Sequence, residues 1–171
     1  RHILKLRDRG IQLSEASAAL SLSAILTPFS HNYVDMRSPT GAGLGALVYD
    51  YDGRVYPSDE ARMLSKAGDA TFCLGAVEDN LDDLMRSDAM KLIIASGIAE
   101  SIPGCSECAY LPFCGADPIF HYATQGDPTG HRPTSEFCRR QTNHFDLMFK
   151  LLKDANKKTT RELTRWANGL G

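Results

Sequence analysis

The stretch PGCSECAYLPFCGADP, residues 103–118, sets three thiols, Cys105, Cys108 and Cys114, within ten positions. The C-x2-C spacing lets one tight turn aim two thiolates at a common metal centre, and Cys114 reaches the same centre from the end of a short loop. A fourth donor is needed, and Cys138, in HRPTSEFCRR, is the candidate. With Thr134 or Ser135 as N-cap, Cys138 falls in the first turn of the helix that follows. There, unpaired amides and the positive end of the dipole stabilise a thiolate. Arg132, Arg139 and Arg140 lie close in sequence. Four thiolates around a 4Fe–4S core of charge two-plus leave a net two-minus, which neighbouring cations and amide donors would stabilise while raising the reduction potential.

Two other chemistries fit the same residues. A redox C-x2-C pair should follow a strand and open a helix within a βαβ pattern, and no such pattern surrounds Cys105. Four cysteines suit zinc as well as they suit a cluster. A zinc ribbon usually repeats C-x2-C in a second knuckle, which is missing here, and that favours iron–sulfur.

The chain's 171 residues are enough to bury a core without disulfide staples. Five cysteines would leave one unpaired in a complete disulfide framework, and no charged-then-apolar leader precedes the chain. A reducing compartment, the cytoplasm, is the expectation. The longest mainly apolar stretch, Ala16 to Leu26, is broken by serines and too short to cross a bilayer. With 19 basic and 21 acidic residues there is no basic stripe, so nucleic acid is not expected as a partner.

Coarse patterning predicts an α+β fold, mostly helical. Residues 2–9 read as a helix end stopped by Gly10, and Ser14 as the cap of a second run ending before Pro28. LVYDYDGRVYP reads as a hairpin around Asp52-Gly53 with a type I′ turn. Ser58 caps a short helix, residues 71–77 are extended, and Asn80 caps a helical stretch to Gly97 with Leu81, Leu84, Met85, Met90 and Ile94 on one side. The cysteine stretch is loop. From Ser135 an amphipathic helix is expected, and a final short helix follows the lysine pair, with Thr159 and Glu162 at capping-box spacing.

The spacing C-x2-C-x5-C followed by a distant cysteine resembles the SPASM domain, the auxiliary-cluster domain of many radical SAM enzymes that modify ribosomally made peptides. The order of Gly53-Arg54-Val55-Tyr56-Pro57-Ser58, Leu74-Gly75-Ala76-Val77 and the acidic-leading NLDDLMRSDAMKL resembles it too. Over finer stretches, YVDMRSPTGAGLGALVYDYDGRVYPSDEARML and CGADPIFHYATQGDPTGHRPTSEFC resemble the radical SAM maturases of the His-Xaa-Ser peptide system.

The resemblance implies a small hairpin-containing cluster domain with a cysteine-rich loop over residues 36–156. A helical linker from a missing radical SAM barrel would occupy 1–35, and a helical tail 157–171. It implies one 4Fe–4S cluster on Cys105, Cys108, Cys114 and Cys138, structural or electron-relaying, with zinc as the alternative in a protein-interaction module. S-adenosylmethionine would belong to the missing core alone, since the C-x3-C-x2-C motif that cleaves it does not occur. Two-cluster relatives carry further cysteines. Here residues 37–43 hold none, and Ser58 and Pro118 stand in two of those places, so a first auxiliary cluster is not expected. The implied partners are a ribosomal precursor peptide and other maturation proteins, with no membrane. A dimer of the chain is conceivable if the apolar side Leu20, Leu22 and Ile25 is left uncovered.

The remaining candidates have plainer readings. Cys73 reads as a small buried residue in a strand rather than a fifth ligand. His121, His131 and His144 read as surface or packing histidines before cluster neighbours. Asp59 and Glu60 suit a helix N-terminus. Asp117, Tyr122 and Gln125 are candidates to line a substrate channel, and GAGLG lacks the helix a dinucleotide loop needs.

Overall fold

The structure, a computed structural model, describes residues 2–28 and 33–169. Its helices are α1 (His2–Leu6), α2 (Ala16–Leu26), α3 (Asp59–Lys66), α4 (Leu81–Arg86), α5 (Asp88–Ser96), α6 (Pro118–Gln125), α7 (Glu136–Lys153) and α8 (Lys157–Ala167). Three short strands, β1 (Val48–Tyr49), β2 (Arg54–Tyr56) and β3 (Gly75–Ala76), form one antiparallel sheet in the order β1-β2-β3. The fold is therefore α+β and mostly helical. Among the described residues no helix is long and apolar enough to cross a membrane.

The chain divides into two compact units, one of Asn32–Arg139 and one of Arg1–His31 with Arg140–Gly171. The division falls within α7, whose first turn, with Cys138, belongs to the cysteine-bearing unit. The expected boundary between residues 156 and 157 has no counterpart, because α8 shares a core with its neighbours.

In the terminal unit, Ala18 and Leu22 of α2, Met148 of α7, and Leu163, Trp166 and Ala167 of α8 form one buried cluster. Leu22 is fully covered and Ile25 packs at the edge, so the apolar side of α2 is not left open as expected. The cap of α2 is Glu15 rather than Ser14. Its carboxylate accepts the amides of Ser17 and Ala18 at 3.2 and 2.6 Å, where negative charge also meets the helix dipole. The final helix starts at the lysine pair, capped by Asn156, which accepts the Thr159 amide at 2.9 Å.

In the cysteine-bearing unit, Val48 pairs with Tyr56 and Tyr49 with Val55, and β3 adds Ala76 opposite Arg54 and Gly75 opposite Val55. The turn differs from the expected one. The Gly53 amide bonds to the Asp50 carbonyl at 3.0 Å, so Tyr51 and Asp52 are central and Gly53, at φ 82°, follows them. Asp52 favours this by accepting the Arg54 amide two residues on, at 3.2 Å. Tyr56 and Val55 are both fully buried. Tyr56 packs with Ala61, Phe72, Ile93 and Ile119, and Val55 with Leu74, Leu84, Ala89 and Met90.

The expected single helix from Asn80 to Gly97 is two. Ser87 interrupts it and caps α5 by accepting the Met90 amide at 3.1 Å. The break rotates the face, leaving Leu81 and Ile94 exposed while Leu84, Met90 and Ile93 are buried. Cys73 lies before β3 rather than in it, half-buried, with its thiol 3.6 Å from the Gly75 carbonyl oxygen.

Gly115, directly after Cys114, is buried against the backbone of Met36 and Arg37, and the next amide, Ala116, bonds to the Arg37 carbonyl at 3.2 Å. A Cβ here would meet the Arg37 nitrogen and lie 2.5 Å from the Met36 carbonyl carbon. Backbone cannot swing aside as a side chain can. Gly115→Ala is therefore expected to destabilise the cysteine-bearing unit by about 1–3 kcal/mol in urea unfolding, as overpacking does. Gly126→Ala offers a control: the space there is open, and only the left-handed φ of 74° opposes it.

Candidate metal centre

The cysteine loop is a succession of turns closed by its own amides. Gly104, at φ 83°, lets the chain turn into Cys105, whose amide bonds to Ile102 at 3.0 Å. Cys108 then bonds back to Cys105 at 2.9 Å, Leu111 to Cys108 at 3.0 Å and Cys114 to Tyr110 at 3.0 Å. Ala99, Ile102 and Ala116 form a small core beneath, with Cys105 and Leu111 packed on it. Residues expected to be bare loop are thus tied at both ends. The Tyr110 amide also donates to the Cys108 sulfur at 3.4 Å, the kind of contact that stabilises a thiolate.

Cys138 arrives from the other side. Ser135 precedes α7, its hydroxyl accepting the Phe137 amide at 3.1 Å and its carbonyl the Arg139 amide at 3.0 Å. This is the expected cap, and it sets Cys138 in the first turn. Phe137 is buried, its ring 5.6 Å from that of His121 and 5.9 Å from that of Phe120 on α6.

All four thiols are half-buried and none is in a disulfide. Burial pushes the Cys114 thiol up to about 12, and charge on Cys105, Cys138 or Cys108 would push it further. Burial raises Cys105 as well, with Arg132 opposing and Cys138 and Cys108 adding to the rise. Cys114 therefore senses the other three cysteines, and Cys105 senses Cys108 and Cys138, the last of which lies 24 positions beyond Cys114. Among the described residues, though, no three His, Cys, Asp or Glu side chains are arranged to hold a single metal ion.

Comparison with known protein families, curated proteins and solved structures finds no match. The case rests on the site itself.

Of the three arginines near Cys138, the structure singles out one. Arg139 is exposed and paired with Glu136 at 2.8 Å, and Arg140 is exposed too. Arg132 is only 2% exposed. Its Nη1 lies over the His121 ring, 3.0 Å from Nδ1 and 3.2 Å from Nε2, and its Nη2 is 3.5 Å from the Pro128 carbonyl oxygen. His121 is itself fully buried, with Nδ1 2.7 Å from the Asp117 carbonyl oxygen. Nδ1–H donates to that carbonyl, which leaves Nε2 to accept from Arg132. Burial, with the Arg132 charge adding to it, holds the His121 ring below its ordinary value and so neutral. The sequence named His121 only as a packing histidine and did not separate Arg132 from its neighbours. The one local signal, Arg-Pro before the capping Ser135, does not reveal burial.

The other candidates have structural work. Asp117 caps α6 by accepting the Phe120 amide at 2.9 Å, with Pro118 buried at the first helical position. Tyr122 donates to Asp69 at 2.9 Å and Gln125 accepts the His131 amide at 2.8 Å, so neither is free to line a channel. Asp59 pairs with Arg62 at 2.7 Å in the first turn of α3, which Ser58 caps. His131 is exposed, and His144 belongs to the terminal unit. Cys73 packs on the Tyr56–Phe72 core.

Asp117 gives a pH test of this region. Burial pushes its carboxyl up to about 6, above the ordinary carboxylate range, and the Phe120 amide only partly opposes it. A carboxyl raised on folding contributes stability below its unfolded value of about 4 and loses it as pH rises through its folded one. Asp117→Asn keeps the cap and removes the charge. The variant should melt a few degrees above wild type at pH 7.5, and the gap should close toward pH 4; a gap constant with pH would show an ordinary carboxyl.

Proposed function

We propose that this chain is the auxiliary-cluster domain of a radical SAM enzyme that modifies a ribosomally made peptide, with one 4Fe–4S cluster on Cys105, Cys108, Cys114 and Cys138. The observation that carries the reading is the electrostatic proximity of Cys138 to Cys105 and Cys114 in the loop, brought about by α7 rather than by sequence.

When bound, such a cluster supplies one-electron transfer or structural support. The chain's own residues hold it and tune it. Four cysteine ligands leave no iron open for substrate, so the peptide and its maturation partners would meet the domain elsewhere. The radical itself must start at the C-x3-C-x2-C motif of another region, which these residues lack.

Anaerobic reconstitution should give brown protein with about four irons per chain and broad absorption near 400 nm, as a 4Fe–4S cluster does. Cys138→Ala should lose most of that iron, while Cys73→Ala should keep it. Colourless protein carrying one zinc that iron does not displace would instead favour a structural zinc module, and full iron retention in Cys138→Ala would remove the fourth ligand.

A further inference from the structure

The most unusual charged group in the cysteine-bearing unit is Arg132. It is 2% exposed, makes no ion pair among the described residues, and keeps Nε buried without any hydrogen-bond partner. Its contacts are an uncharged ring and a carbonyl. A buried guanidinium ordinarily faces a carboxylate, because desolvation costs several kcal/mol that neutral partners do not repay. Arg132 is also tied to residues beside both parts of the thiol site. A Cβ on Gly104, next to Cys105, would be 4.0 Å from Arg132 Cβ and 3.5 Å from Pro133, while His121, which holds the guanidinium, packs on Phe137, next to Cys138.

Resting on the cluster reading above, we propose that Arg132 is a hydrogen-bond donor to the bound cluster, its Nε–H and positive charge set toward the cluster's sulfurs by the neutral ring of His121. The four thiols, protonated, offer the guanidinium no counter-charge. As cluster ligands they are thiolates around a net two-minus body, and the cation then has its anion. Direct electrostatics agree, since charge on Cys105, then on Asp117, Cys114 and Cys138, would act on Arg132 against the effect of its burial. A donor and a cation at the cluster favour its reduced, more negative state. Arg132 is a positioning and tuning residue here, and iron retention belongs to the cysteines.

The test uses the whole chain, reconstituted anaerobically as wild type, Arg132→Met and Arg132→Lys. All three should hold equal iron. The Met variant should be at least tenfold harder to reduce, which for a one-electron couple is about 59 mV more negative, with the Lys variant between. Wild type made with 15N only in the arginine guanidinium should show 15N modulation of the reduced cluster's electron spin in pulsed EPR. That measurement needs no variant to fold. An unmoved potential in Arg132→Met, or no guanidinium coupling in iron-loaded wild type, would overturn the inference alone. Wild type that takes up no iron would overturn the cluster reading and this inference together.

Discussion

The contact on which the cysteine-bearing unit turns is the one between Arg132 and the ring of His121. It joins three pieces that are separate in sequence: α6, the turn Arg132–Thr134, and the opening of α7. His121 spans them by giving one ring nitrogen to Asp117 and the other to Arg132 while its face meets Phe137. A hydrogen bond to a charged group contributes about 1.5–3 kcal/mol, enough to fix the turn but less than the cost of burying an uncompensated guanidinium. On the proposed reading, the bound cluster supplies the rest of that balance.

The thiols point the same way. A cysteine built for exchange or nucleophilic attack has its pKa lowered by a cation or helix terminus. Cys114 and Cys105 are both shifted in the opposite direction, chiefly by burial. A sulfur shifted this way, as Cys105 is, makes a poor nucleophile as a free thiol, which adds to the missing βαβ pattern as an argument against a redox C-x2-C. On the proposed reading these thiols become thiolates when the cluster displaces their protons.

Much of this was legible in the sequence, and the failures have a common cause. The hairpin strands, the Ser58 cap and the first-turn position of Cys138 each depend on neighbours a few residues away, and each stands as read, while the hairpin turn sits one residue earlier than expected. The helix break at Ser87 and the cap at Glu15 turned on which of two local competitors wins, and the hydroxyl and carboxylate won by reaching free amides. The burial of Arg132 was not legible at all, because the three arginines near Cys138 differ only in what packs over them. Leu22 found cover in α8 for the same reason: its partner, Trp166, is more than a hundred residues away.

Ser58 and Pro118 show how a position can answer two questions. On the proposed reading each stands where a two-cluster relative would place a ligand, and each also has a local task. Ser58 accepts the Ala61 amide at 3.3 Å to open α3, and Pro118 opens α6 behind the Asp117 cap. Cysteine is a poor acceptor at an N-cap and lacks the fixed φ that suits Pro to the first helical turn. These two helices are thus built on residues that serve the backbone instead of a metal. On the proposed reading, losing a second cluster costs the fold little, because capping has taken over the ordering that ligation would have supplied. The remaining four cysteines carry no such second duty, apart from the modest packing of Cys105, and that leaves them free to be spent on one centre.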